Sequence, residues 1–245
     1  MTTIIKENEK NRMKKEERKQ RFLLLQINDA LFPIGAYSHS YGLETYIQKN
    51  LVTTGEEAWE YLSRRLLYGF CYNEFLAARL AYQYAAAGKI EDLNRLEEIM
   101  EASRVPREIR EAGTKLGSRF VKTVRELEIS YENDSFLNYM ESRKGRSMTH
   151  AVVYGVFCGA AGIPCEDAME HYLYAQTSSM VTNCVKTIPL SQTAGQKLLC
   201  RSQGLFQEIL EKLEGLTEDD LCLSTPGFDI RSMQHEGLYS RIYMS

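Results

Sequence analysis

The chain has 245 residues, 44% apolar and 26% charged, with a formal net charge of −3. Length and balance suit one large, soluble globular domain and exclude a collagen-like or disordered chain. The net negative charge excludes a dedicated nucleic-acid binder, whose affinity rests on phosphate neutralisation.

Charge is unevenly placed along the chain. Residues 1–21 hold five lysines and three arginines against four glutamates, a net +4 that leaves −7 for the rest. With so little apolar content, this segment is expected to be a disordered charged tail or a frayed solvated helix. A helical domain is expected over 22–232, and a polar, aromatic C-terminal tail over 233–245, free to dock on a partner. The stretch Leu31 to Glu44 is non-periodic and crowds Pro33, Gly35, Tyr37, His39 and Tyr41 before a helix, with Ser38 or Ser40 as the expected cap. An exposed Tyr-Ser-His-Ser-Tyr run also has the amphipathic character of a partner-binding surface.

The next helix opens at Thr54-Gly55-Glu56-Glu57, with acidic residues in its first turn, and carries Trp59, Leu62, Leu66 and Phe70 on one face. Alanine-rich residues 77–87 favour helix. Ile109, Ala112, Leu116, Phe120, Val124 and Leu127 recur every three to four residues, the period of one helix face. Ala151, Gly155 and Gly159 make a smooth strip on a further helix, suited to close packing either inside the chain or against a partner. Lys186 ends an apolar helix before Pro189, where a cation complements the helix dipole or faces a partner. From Ser191, the set Ala194, Leu198, Leu205, Ile209, Leu213 and Leu216 predicts a helix stopped near Gly215. The periodic signal then fades between Leu216 and Gly237, and Thr217-Glu-Asp-Asp and Ser224-Thr-Pro-Gly read as loop. No segment alternates as a strand does, and the predicted fold is all-α, a compact helical bundle.

Chemistry is harder to find. The six cysteines, at 71, 158, 165, 184, 200 and 222, show no C-x-x-C spacing, which fits buried reduced thiols in a cytoplasmic protein. The histidines at 39, 150, 171 and 235 form no H-x-x-x-H or H-E-x-x-H pair, so no metal site and no catalytic residue is predicted. Pairs such as Glu97-Glu98 read as solvated helix surface. No phosphate-cradling glycine motif occurs, and no signal peptide or membrane span is expected. A helical cofactor-binding enzyme lined by tyrosines, and an adaptor for some GTPase, stay open as alternatives on the residues alone.

Three segments in this order resemble the UreF family of urease accessory proteins. Phe32 to Glu44 follows the family's L-P-[VI]-G-[GS]-[FY]-[ST]-x-S-x-G-L-E, and Val185 to Gln192 its V-K-x-x-P-L-x-Q. Glu236 and Tyr239 to Ser245 follow its H-E-x-x-Y-S-R-[LI]-[FY]-x-S ending. The resemblance runs from about Phe22 to the C-terminal residue. It implies a dimeric bundle of about ten helices, without enzymatic activity or a resident cofactor. Nickel would be in transit only, and the partners would be the GTPase UreG, UreD (also called UreH) and apo-urease. Carried over residue by residue, it places Tyr37 and Glu44 at or near a UreG-facing surface, with Lys186 on the same surface and His39 among the partner-binding residues. Tyr239 and Arg241 belong to a tail ordered against UreD, with Arg241 as anchor. Two departures stand out: Ala36 replaces the family's usual Gly or Ser, and Met244 stands where many members carry Arg.

Overall fold

A computed structural model describes the backbone of residues 2–245 and the side chains of residues 14–245. The reading of residues 1–21 as a charged tail therefore falls largely outside the described side chains. Helix α1, Thr2–Ile27, covers the segment. Its residues 14–19 are exposed, and attachment begins where Gln20 Nε2 donates to the Gly162 carbonyl at 2.9 Å and Leu24 and Ile27 enter the core.

After the loop that holds the first motif come α2, Leu43–Gln48, and α3, Gly55–Arg64. Thr54 caps α3 in a capping box with Glu57, so the predicted start is met by two reciprocal bonds. The rod then continues without a break through a π-helical segment, Arg65–Phe75, into α4, Leu76–Ala86. Helices α5, Ile90–Ser103, and α6, Arg107–Glu126, follow, and α6 buries Ile109, Ala112, Leu116, Phe120 and Val124 as their period predicts. The chain closes with α7, Ser135–Ser142; α8, His150–Ala160; α9, Cys165–Thr187; α10, Gln192–Gly215; and α11, Pro226–His235. Among the described residues no β-strand occurs, and no helix is long and apolar enough to cross a membrane.

The centre of the bundle is the α4–α8 pair. A side chain at Gly155 would place its Cβ 2.1 Å from the Ala78 carbonyl oxygen, and one at Gly159 2.8 Å from that of Tyr82. The Ala151–Gly155–Gly159 strip thus packs inside the chain, against the alanine-rich α4, whose small side chains let the axes approach. Helix α6 covers the other side of α8 through Phe120, which meets Phe157 at 5.5 Å and His150 at 5.5 Å between ring centroids.

Three local expectations are corrected. The stretch Thr217–Asp220, expected as loop, holds a helical turn at Glu218–Asp220, and the expected loop Ser224–Gly227 gives way at Pro226 to the ten-residue α11. Helix α11 starts with Pro at its first turn, a position where the missing N–H costs nothing, and it is held by burial of Ser232 and His235. Neither serine of the first motif caps α2: Gly42 is its N-cap, while Ser38 Oγ donates to the Gly35 carbonyl and Ser40 Oγ to that of Ser245. Glu97 is not a solvated carboxylate but wholly buried, accepting bonds from Tyr139 Oη and from the Thr149 N–H and hydroxyl at the start of α8.

Candidate functional site

The first and third motif segments meet. The first motif turns twice through left-handed backbone, at Gly35 (φ 81°) and at Tyr41–Gly42 (φ 54° and 83°). Gly42 is needed for space as well as for its angle, because a Cβ there would lie 3.0 Å from the Ser232 Cα of α11. These turns aim the backbone N–H groups of Ser40 and Tyr41 at one acceptor, the Ser245 carbonyl oxygen, at 2.5 and 3.1 Å. Met244 N–H returns a bond to the Ser38 carbonyl at 2.8 Å, and His39 Nδ1 lies 2.9 Å from Ser245 Oγ. Burial, reinforced by Lys115 and Arg119, pushes His39 down to about 4. Its ring is therefore neutral near pH 7 and works as a hydrogen-bonding group.

Glu44 holds the tail one turn further on. Its carboxylate accepts from the Ile242 and Tyr243 N–H groups at 2.8 and 2.9 Å and lies 3.1 Å from His235 Nε2. His235 Nδ1 reaches Glu108 at 2.6 Å, and Arg241 pairs with the same carboxylate at 2.6 Å. Arg107 adds a bond to Glu236 at 2.8 Å. The arrangement is a latch of two carboxylates, an imidazole and a guanidinium, and it ties the tail to the start of α6. Helix α9, which leads into the second motif, joins from the other side, where Asn183 Nδ2 donates to the His39 carbonyl at 2.8 Å.

The predicted site residues fall into two groups. His39 and Glu44 are buried and act on the tail from beneath. Tyr37, Lys186, Tyr239 and Arg241 are exposed. The Met244 bond to Ser38 brings the backbone next to Tyr37 against the tail, and Tyr37, Tyr239, Ile242 and Met244 are all exposed on the joined segments. The tail expected to order against another protein is thus already ordered against its own chain, and Arg241 has Glu108 as its anchor. Sequence reading missed Glu108, His235 and Asn183. Glu108 looks like any acid in a helix's first turn, and only its partners 127 and 133 residues away reveal it.

Among the described residues, no group of three or more His, Cys, Asp or Glu side chains is placed to hold a metal ion. The UreF family model matches residues 52–203. A urease accessory protein UreF of Lachnoclostridium phytofermentans is 34% identical over 224 residues, 91% of this chain and 97% of the relative. The chain belongs to the UreF family. Another relative, the urease accessory protein UreF of a Bacillus species, is 33% identical over 222 residues, with 91% and 97% covered. The matched UreF region begins at Val52 and ends at Gln203, so the latch, built mostly from residues on either side of it, lies mostly outside that region.

Proposed function

We propose that this protein is a non-catalytic urease accessory scaffold that supports nickel insertion into apo-urease in the cytoplasm. In this reading it acts as a homodimer and bridges the GTPase UreG and UreD (UreH). Tyr37 and Lys186 face the GTPase and tune its hydrolysis of GTP, Tyr239 and Arg241 face UreD, and nickel passes between partners without a resident site. The observation that carries the reading is the latch. Residues from both ends of a UreF-family chain are fixed together, and the joined segments expose the large side chains of Tyr37, Tyr239, Ile242 and Met244. Rigid aromatic and arginine side chains on a preordered segment bind a partner with little loss of conformational entropy.

Co-expression of the chain with UreG and UreD, followed by size-exclusion chromatography with light scattering, tests the proposal. A stable particle containing all three proteins is expected, and Tyr37→Ala with Tyr239→Ala should lose at least one of them while the helical signal stays unchanged. A lone dimer that ignores both proteins would refute the scaffold reading.

A further inference from the structure

Arg65, the first residue of the π-helical segment, is 4% exposed, and its Nε has no hydrogen-bond partner. Nearby cations are matched: Arg64 pairs with Glu60 at 2.6 Å and Arg104 with Glu74 at 2.7 Å. Arg65 enters no ion pair among the described residues. Its guanidinium carbon lies 4.8 Å from the ring centroid of Phe228 and 5.2 Å from that of Phe70. Gly69 keeps the helix bare along its path, since a Cβ there would sit 3.1 Å from Arg65 Cδ. Cation–π contacts offset only part of the desolvation of a buried charge, and an unpaired one of this kind calls for a counter-charge.

An open groove of about 450 Å³, lined by Tyr46, Tyr61, Phe228, Glu57, Glu60 and Arg64, shares with Arg65 the Phe228 ring over which the guanidinium lies. Tyr61, one of the lining residues, carries a buried hydroxyl without a partner. The rim charges are already engaged, Glu57 by the Thr53 and Thr54 N–H groups and Glu60 by Arg64. Asp229 on α11 lies in the field of Arg65, which draws its carboxyl down against the larger upward effect of burial, but it forms no ion pair with Arg65.

We propose that Arg65 and the Tyr61 hydroxyl form a binding site for a small planar oxyanion, a carboxylate or bicarbonate, entering by the Tyr46–Tyr61–Phe228 groove. The fork of a guanidinium matches a planar carboxylate with two parallel hydrogen bonds, and aromatic walls admit a flat ligand. The proposal is independent of the accessory role.

The test is thermal unfolding of the full chain in sodium acetate, bicarbonate and phosphate, each compared with chloride at matched ionic strength and pH. A saturable rise in midpoint with acetate or bicarbonate is expected, because a ligand that binds only the folded state stabilises it by mass action. Arg65→Met, which keeps the apolar stem, should abolish the rise. Tyr61→Phe should weaken apparent affinity several-fold, and it carries the test should Arg65→Met fail to fold. Asp229→Asn, by removing a competing negative charge, should strengthen binding. Saturable rises with acetate and bicarbonate that exceed that with phosphate support a planar ligand. No rise beyond chloride, a rise confined to phosphate, or one retained in both Arg65→Met and Tyr61→Phe as a general salt effect, would overturn the proposal.

Discussion

Glu44→Ala is the sharpest perturbation of the latch. It removes the acceptor of the Ile242 and Tyr243 N–H groups and one of the two carboxylates flanking His235. Hydrogen bonds to a charged group contribute about 1.5–3 kcal/mol each, so losing two at the lower figure weakens tail docking by about 3 kcal/mol. Whole-protein stability should fall by less, because a tail that detaches can rehydrate its freed N–H groups instead of leaving them buried. The measurement is amide hydrogen exchange. Protection of the Ser40, Tyr41, Ile242, Tyr243 and Met244 amides should drop together by about two orders of magnitude, at 1.4 kcal/mol per factor of ten. Amides in the α4–α8 core should be unaffected. If the five tail and loop amides keep their protection, or lose it independently of one another, the tail is not held by Glu44 as a unit.

Further tests probe the core and the outer surface. Burial raises Glu97 to about 7 despite its hydrogen bonds from Tyr139 and Thr149. The folded state therefore holds this proton more tightly than the unfolded chain, and the associated stability is full below about pH 4.5 and lost as pH rises through about 7. The Glu97 contribution, read by urea unfolding as wild type minus Glu97→Gln, should fall by about 3 kcal/mol between pH 5 and pH 8, against the opposite contributions of His39 and His150, which burial lowers to about 4. Gly155→Ala drives a Cβ onto the Ala78 carbonyl and should cost about 3 kcal/mol, lowering the melting temperature by about 6–12 °C. Gly204→Ala, inside α10 with nothing near its would-be Cβ, should instead stabilise by up to about 1 kcal/mol in the same scan. Lys186→Ala should leave melting unchanged, since the side chain is exposed, yet reduce urease activation in a co-expression assay; normal activation would remove Lys186 from the working surface.

The fold was legible where one face of a helix is buried along its length. The periods of α6 and α10 read out their packing because burial acts on every turn, and the Thr54–Glu57 pair marks the start of α3 by a local rule. Helix α11 escaped because its stability comes from neighbours distant in sequence, although Pro226 carried a start signal. The motif segments were visible as unusual stretches, and the exposure of Tyr37 and Tyr239 accords with their aromatic, polar setting. What could not be read was the joining of Glu44, Glu108 and His235, because pairings across more than a hundred residues leave no mark on local periodicity. Glu97 misled for a related reason: its neighbour Glu98 is solvated and bound to Arg143, and adjacent positions on a helix point in different directions.

The π-helical segment between α3 and α4 acts as a crank. A ring closed five residues back rather than four holds more residues per turn, so successive side chains lag behind their α-helical bearing and the buried stripe rotates about the axis. Upstream of it the rod faces α9 and α10; downstream it faces α8 and α5. A loop could have made the same change of direction, but each new helix end would leave four backbone groups seeking partners. Shortening the segment by a single residue would turn the α4 alanines away from the glycines of α8 while leaving every helix in place, a misalignment of gears rather than a loss of parts.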